Sequence, residues 1–288
     1  MALNFTEQFD MSGYVAVVTG GGTGLGSYMA TSLAKNGAKV YITGRRAEVL
    51  TKLAESFQGP GSIIPLPMDV TDEESIKKGV QVVTEKEGKL DILINNAGTN
   101  TSPSQPDFPA KGMEYFSQGK LPYELETFEG WNYLFKLNTL APFFVTTAFM
   151  DLLIKGAVGK GKKTSVVINI SSNSTALKVA FPAGSVSYPI TKAALEHMTT
   201  FMAGDLAQRK IPVRVVALAP GVFPSEGLSD ALLEEYKDKA FPGFLSPAPL
   251  LRWGKPEELA LSANYLVANE YVNGTVLRLD GGFSLVNL

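Results

Sequence analysis

Tyr188 and Lys192 lie four residues apart in the stretch V-S-Y-P-I-T-K-A-A from Val186 to Ala194. On a helix that interval places both side chains on one face, with the ammonium close to the phenol. A free phenol ionises near pH 10, so a tyrosine works as an acid or base near neutrality only where its phenolate is stabilised; each pKa unit is worth about 1.4 kcal/mol. A Tyr-x-x-x-Lys pair on its own is ordinary on a solvated helix face. Its meaning depends on what surrounds it.

A second constellation, Gly20-Gly21-Gly22-Thr23-Gly24-Leu25-Gly26, follows the short apolar run Tyr14 to Thr19 and opens a helical pattern that stops at Gly37. Glycines there let a backbone approach a pyrophosphate, and the helix behind them offers free N–H groups and a partial positive charge. Gly20, Thr23, Gly24, Leu25 and Gly26 are therefore predicted to hold a dinucleotide. The end of the next strand selects which one. A site for NAD places an acid there, whereas this chain has Thr43-Gly44-Arg45-Arg46 and no acid before Glu48. Two guanidinium groups suit a 2'-phosphate, so Arg45 and Arg46 predict NADP(H) over NAD(H). Asp69-Val70 and Asn95-Asn96-Ala97-Gly98 follow the third and fourth strands, at carboxyl ends where an open parallel sheet keeps its ligand crevice.

To bring these residues together the chain must alternate strands and helices, and its patterning does so. Apolar runs at Tyr14–Thr19, Lys39–Thr43, Ser62–Leu66, Leu90–Ile94, Val166–Ile170, Val213–Leu218 and Val276–Leu279 predict seven strands. Helices are expected at Gly24–Asn36, Ala47–Phe57, Asp72–Lys86 with Thr71 as cap, Glu129–Lys155, Ser187–Arg209 and Pro256–Ala268. Fully apolar strands between helices imply an α/β fold, a Rossmann-like doubly wound parallel sheet with helices on both faces. With no repeat or linker to divide it, one domain over residues 1–288 is expected. Two segments exceed an ordinary connection: residues 99–127, either a lid or a locally ordered insertion, and a substrate loop over residues 222–253.

Composition excludes several classes. A net charge of -2 from 26 basic and 28 acidic residues gives no electrostatic footprint for nucleic acid or an anionic membrane. The absence of cysteine removes disulfides and thiolate metal sites, and is compatible with a reducing, cytoplasmic location. The first ten residues carry no basic start or continuous apolar run, so no secretory signal is predicted. The apolar stretch Leu137–Ile154 is interrupted by Asn138, Pro142 and Asp151, which reads as a buried helix rather than a membrane span. His197, the single histidine, is read as packing or surface.

Taken together, Thr19 in the glycine motif, Asp69, Asn95 to Gly98, Asn138, Ser172, Tyr188, Lys192, Pro220-Gly221 and Asp280-Gly281-Gly282 resemble, in order and over nearly the whole chain, the short-chain dehydrogenase/reductase family. The resemblance implies that Tyr188 is the proton donor or acceptor. Lys192 would lower its pKa and hold the nicotinamide ribose, Ser172 would hydrogen-bond the substrate oxygen, and Asn138 would support a water chain behind Lys192. It also places Pro220, Gly221 and Val222 beside the cofactor. No metal is required. The family's serine stands about 13 residues before its tyrosine, the position of Thr175 here; Ser172 is 16 before. Ser172 is chosen because it directly follows a strand and extra residues around Phe181-Pro182-Ala183-Gly184 can be absorbed in a loop, with Ser174 and Thr175 as substitutes. Tyr115, Phe116 and Tyr123 in the insertion either line a pocket for a large or flat substrate or pack the insertion onto the sheet.

The segments Pro220–Gly227 and Arg252–Glu258 are similar to those of family members that reduce 3-oxoacyl thioesters or related ketones. The expected activity is NADP(H)-dependent hydride transfer between nicotinamide and a carbonyl or secondary alcohol, in a homodimer or homotetramer acting on a small molecule. A non-catalytic NADP(H) sensor and an isomerase or dehydratase on the same scaffold are the competing readings; the first predicts binding without turnover.

Overall fold

The computed structural model describes residues 4–120, 122–158, 164–179, 184–225, 238–239 and 245–287. Its centre is one sheet of seven parallel strands: β1 (Val15–Thr19), β2 (Lys39–Gly44), β3 (Ser62–Pro67), β4 (Ile92–Asn95), β5 (Ser165–Ile170), β6 (Val213–Pro220) and β7 (Val276–Leu279). The order across the sheet is β3-β2-β1-β4-β5-β6-β7, so the winding reverses between β1 and β4. The parallel registers Thr19 opposite Thr43, Val18 opposite Ile94 and Asn95 opposite Asn169 bring the strand ends level at that reversal.

Alternation along each strand assigns two cores. Ala16 and Val18 of β1 join Met29, Ala30 and Leu33 of α2 (Gly24–Lys35), Leu50 of α3 (Ala47–Ser56) and Leu259, Ala263 and Leu266 of α10 (Pro256–Ala268). Val15 and Val17 face the other way. They meet Ile76 and Val83 of α4 (Glu73–Glu87), Val145 of α7 (Ala141–Ala148), Leu152 and Leu153 of α8 (Met150–Ala157) and Met202 and Leu206 of α9 (Ser187–Gln208). Each fully buried Val, Leu or Ile side chain contributes about 1.5–3 kcal/mol of transfer free energy, which is why a two-residue period fixes the strand faces.

Two helical expectations are corrected. The helix foreseen over Glu129–Lys155 is three segments: α6 (Phe128–Phe135), a π-helical turn Lys136–Leu140 running into α7, and α8 after a bend of 58°. Pro142 has no N–H to give the carbonyl of Asn138, and the turn widens there. The cap of α4 is Asp72, whose carboxylate accepts from Ser75 N at 2.6 Å, while Thr71 is held by Asp69. Among the described residues no single helix is long and apolar enough to cross a membrane. The 99–127 segment is ordered where described, with α5 (Phe108–Ser117) and a 3-10 turn at Pro122–Leu125.

Candidate active site

At the end of β1 the Thr19 hydroxyl ties the β1–β4 reversal together. It accepts from the backbone N–H of Asn96 (2.9 Å) and Ala97 (3.1 Å) and donates to the carbonyl of Ile94 at 3.3 Å. Asn96 returns the contact, its Nδ2 donating to the carbonyls of Thr19 (2.9 Å) and Gly20 (3.0 Å). Gly20 and Gly24 turn with φ of +60° and +52°, where a side chain is strained. A Cβ on Gly26 would lie 2.2 Å from the Gly20 carbonyl oxygen, so the first turn of α2 rests on the glycine turn itself. The result is a backbone cradle with the N-terminus of α2 behind it, the surroundings a pyrophosphate requires.

A cleft of about 960 Å³ runs from this cradle across the strand ends. Gly20, Thr23, Gly24, Leu25, Arg45, Arg46, Asp69, Val70, Asn96, Ala97, Gly98, Ser172, Tyr188, Lys192, Pro220, Gly221 and Val222, all foreseen at the site, line it; Gly26 lies just beneath in α2. Arg45 and Arg46 are exposed at the end of β2. Burial raises the Asp69 carboxyl, but hydrogen bonds from Thr71 and the charges of Arg45 and Lys136 outweigh it and hold Asp69 below its ordinary value. Glycine cradle, cleft and paired guanidinium groups fit a dinucleotide with a 2'-phosphate.

At the other end of the cleft, Tyr188 and Lys192 project from the first turns of α9. Lys192 Nζ donates to the carbonyl of Ile170 at 2.7 Å and sits 5.9 Å from the centre of the Tyr188 ring. Asn138, fully buried in the π-helical turn, grips Thr99 from both sides. Its Oδ1 accepts from Thr99 N at 3.1 Å, and its Nδ2 donates to Thr99 O at 2.9 Å and to Thr191 Oγ1 at 3.1 Å. A Cβ on Gly98 would come within 3.0 Å of Asn138 Oδ1 and 3.2 Å of Lys192 Nζ, so a side chain there would press on both groups.

Ser172 ends the β5 connection and caps the 3-10 turn Asn173–Ala176, its Oγ accepting from Ser174 N at 3.1 Å. With that lone pair occupied, its proton remains available, and the hydroxyl lies near enough to the Tyr188 phenol to favour its ionised form. The two substitutes lie elsewhere. Thr175 Oγ1 is 2.8 Å from Glu196 Oε1 and accepts from Arg278 at 2.9 Å, and Ser174 Oγ is buried with no hydrogen-bond partner among the described residues. Phe181, Pro182 and Ala183, invoked to absorb the longer spacing, lie outside the described residues.

One electrostatic expectation is reversed. Burial dominates the phenol and raises Tyr188 above its ordinary 10.0; the group that pulls it back is Ser172, while Lys192 is itself lowered by burial from 10.5 to about 8. The tyrosine is thus held as a neutral phenol, on the same helix face as an ammonium that burial brings down to about 8.

Of the insertion aromatics, Tyr115 packs under Lys120 at 5.1 Å and Tyr123 is 57% exposed; neither lines the cleft, and the Phe116 side chain lies outside the described residues. The insertion instead presents Thr99 to Pro103 and Pro106 to the cleft. Its far end makes a contact that sequence reasoning missed. Glu126 accepts from Ser185 Oγ at 3.0 and 2.9 Å and from Val186 N at 2.6 Å, and so caps α9, whose own N-cap residue Val186 provides no side-chain cap. An acid 60 residues upstream leaves no local signal for this. Of the substrate loop, Val222, Phe223 and Ser225 line the cleft; residues 226–237 and 240–244 lie outside the described set. His197 is exposed on α9. Among the described residues no cluster of three or more His, Cys, Asp or Glu could hold a metal.

A family model described as short chain dehydrogenase matches residues 14–235. The short-chain dehydrogenase/reductase VdtF of Byssochlamys spectabilis is 34% identical over 302 residues, covering 98% of this chain and 96% of its own. The rhamnolipids biosynthesis 3-oxoacyl-(acyl-carrier-protein) reductase of Pseudomonas aeruginosa is 31% identical over 279 residues, covering 96% and 98%. Among solved structures, the Pseudomonas aeruginosa RhlG/NADP active-site complex superimposes with a TM-score of 0.76 at 29% identity, over 96% of this chain and 98% of that one.

Proposed function

The chain belongs to the short-chain dehydrogenase/reductase family and is an oxidoreductase of CH–OH and C=O groups, and from that premise we propose that it is an NADP(H)-dependent reductase of a small-molecule ketone or aldehyde. The observation that carries this is the pairing of Tyr188 and Ser172 in the cleft with Lys192 one turn along the same helix. Bound in the cleft, the nicotinamide supplies or accepts the hydride.

In reduction, negative charge grows on the carbonyl oxygen. Ser172 donates a hydrogen bond to it, and Tyr188 delivers its phenolic proton, forming the alcohol and leaving a phenolate. Lys192 stabilises that phenolate as an ammonium, and a proton from solvent restores the phenol. Asn138 holds Thr99 and Thr191, and through them the wall and helix between which Lys192 lies. Gly20 to Gly26 would hold the pyrophosphate. Arg45 and Arg46 would take the 2'-phosphate, which accords with NADP in the Pseudomonas complex. Asp69, Val70, Asn96, Ala97, Gly98, Pro220, Gly221 and Val222 would line the remainder of the nucleotide.

A 3-oxoacyl thioester or related ketone is the substrate class favoured by the likeness to the Pseudomonas reductase. The exposed Phe143, Phe144, Ile190 and Phe201 on α7 and α9 support a homodimer or homotetramer, and the absence of cysteine is compatible with a cytoplasmic setting.

The test is titration with NADPH and NADH by nicotinamide fluorescence, followed by a panel of ketones, quinones, keto-sugar acids and 3-oxoacyl thioesters. NADPH is expected to bind more tightly and to be oxidised with one class. Tyr188→Phe should then lower kcat by at least about 100-fold while the NADPH Kd is kept. Binding without oxidation of any carbonyl, with Tyr188→Phe indistinguishable from the parent, would replace the reductase with a nucleotide sensor.

A further inference from the structure

Ser171 and Thr175 bracket Ser172, and both hydroxyls point at one atom. Glu196 Oε1 accepts from Ser171 Oγ at 2.8 Å and from Thr175 Oγ1 at 2.8 Å. Glu196 follows Lys192 by four residues and Tyr188 by eight, so all three stand on one face of α9. Its side chain is 15% exposed, and its second oxygen lies 3.6 Å from Arg278 of β7. Arg278 in turn donates to Thr175 Oγ1 at 2.9 Å. A carboxylate only accepts and a guanidinium only donates, so Arg278 gives to Thr175, Ser171 gives to Glu196, and the Thr175 proton is shared between Glu196 Oε1 at 2.8 Å and the Ser172 carbonyl at 3.0 Å. Hydrogen bonds to a carboxylate are roughly twice as strong as neutral ones.

Tyr188 and Ser172 belong to different elements, a helix and the turn after a strand. Their oxygens must nevertheless keep a fixed separation if both are to meet one substrate oxygen, within about 0.5 Å for a productive site. Lys192 provides only a loose link, its Nζ going to the Ile170 carbonyl before the turn begins and its own carbonyl lying 3.5 Å from Ser171 Oγ. Glu196 reaches the turn on both sides of Ser172.

We infer that Glu196 is a positioning residue, which locks the Ser171–Thr175 turn onto the helix face carrying Tyr188 and Lys192 and so sets the Ser172 hydroxyl against the Tyr188 oxygen. Thr175 is its relay and Arg278 its outer support. This explains why a hydroxyl residue occupies the position 13 before the tyrosine without facing the cleft: Thr175 holds the turn that presents Ser172. The inference rests on the reductase reading for its effect on turnover only; the positioning itself can be read without substrate.

The experiment uses full-length protein labelled with 13C at tyrosine Cζ, free of nucleotide, with the Tyr188 resonance assigned by its loss in Tyr188→Phe. Ser172→Ala marks where the resonance falls without the serine hydrogen bond. Glu196→Ala and Thr175→Val are expected to move it toward that mark, Glu196→Gln to move it part of the way, and Thr175→Ser to leave it in place. The other tyrosine resonances report intact folding. With a reducible carbonyl, Glu196→Ala should lower kcat by about 10- to 100-fold. Its NADPH Kd should change less than about twofold, and it should cost nothing further in a Ser172→Ala background, as expected of residues acting as a unit. A resonance that stays at its parent position in folded Glu196→Gln and Thr175→Val overturns the inference, as does an equal loss of kcat with and without Ser172. A resonance that moves in a protein that reduces no carbonyl sustains the positioning and sinks the reductase reading alone.

Discussion

Replacing Arg45 and Arg46 together by alanine tests the cofactor assignment most directly. Both side chains are exposed at the end of β2, so neither commands the full strength of a buried charge-assisted hydrogen bond, about 1.5–3 kcal/mol. Exposed ion pairs are worth about 0–1 kcal/mol. A bound phosphate partly shielded by the cleft falls between, at about 1–1.5 kcal/mol per guanidinium. The pair then contributes about 2–3 kcal/mol, or about 30- to 150-fold in the NADPH Kd at 1.4 kcal/mol per decade. Asp69 adds to the effect. Its carboxylate lies within the field of Arg45 as well as Lys136, and without the arginines its negative charge at that end of the cleft is less fully offset. NADH has no 2'-phosphate and should lose less than about threefold. Fluorescence titrations of parent and variant with both nucleotides measure the two Kd values. Repeating them at high salt should erode the parent's preference for NADPH and leave the variant nearly unchanged, because exposed charges are screened over about 10 Å at 0.1 M ionic strength. Equal weakening of NADPH and NADH would refute the assignment of these arginines to a 2'-phosphate.

Ser172→Ala is expected to lower kcat/KM by about 100- to 1,000-fold, the usual loss for one donor to a developing oxyanion. Thr175→Ala should cost about tenfold, and the reverse order in steady-state assays would assign the substrate oxygen to the wrong hydroxyl. Gly26→Ala places a Cβ 2.2 Å from the Gly20 carbonyl and 2.5 Å from Asn96 Nδ2, so the glycine turn must move. Such overpacking costs about 1–3 kcal/mol, to be seen as a lower Tm together with a weakened NADPH Kd; parent values for both would mean that the cradle tolerates a side chain. Lys192 provides a pH test. Its folded pKa of about 8 is below the ordinary 10.5, so between those values the unfolded chain binds the extra proton and stability rises with pH. Denaturant midpoints of the parent relative to Lys192→Met should therefore climb from pH 8 toward 10; the raised Tyr188 phenol opposes this only above about 10. A flat difference would mean that the ammonium is not desolvated.

What could be read in advance divides by the range of the physics involved. The strands were legible because a short apolar run bounded by turn residues is a local signal; which face each residue takes, Val15 and Val17 against Ala16 and Val18, emerges only from the packed sheet. The glycine cradle was legible for the same reason, since a turn and a helix start are adjacent in the chain. Tyr188 and Lys192 could be paired by helical spacing, but spacing says nothing of burial. The phenol is therefore raised where a neighbouring cation alone would have lowered it. Ser172 and Thr175 could not be separated by counting residues, because the deciding fact is that Glu196 and Arg278 claim Thr175 from α9 and β7. Asn138 was legible by its likeness to a family pattern, while its grip on Thr99, 39 residues away, and Thr191, 53 away, was not. The widened turn had a visible local cause in Pro142, four residues after Asn138, which does not account for the later bend before Met150.

The cap that Glu126 provides for α9 bears on how this enzyme could be diversified. Loops that enclose a cleft are usually treated as exchangeable parts, to be traded between relatives so that one scaffold accepts different molecules. Residues 99–127 are not exchangeable in that sense. The acid near their far end satisfies the backbone of the helix that bears Tyr188, so a transplanted segment without it would carry away the support of the proton donor along with the old wall of the cleft. Segment and helix form one heritable unit, and a library built on this chain would hold position 126 fixed and vary positions 100–106.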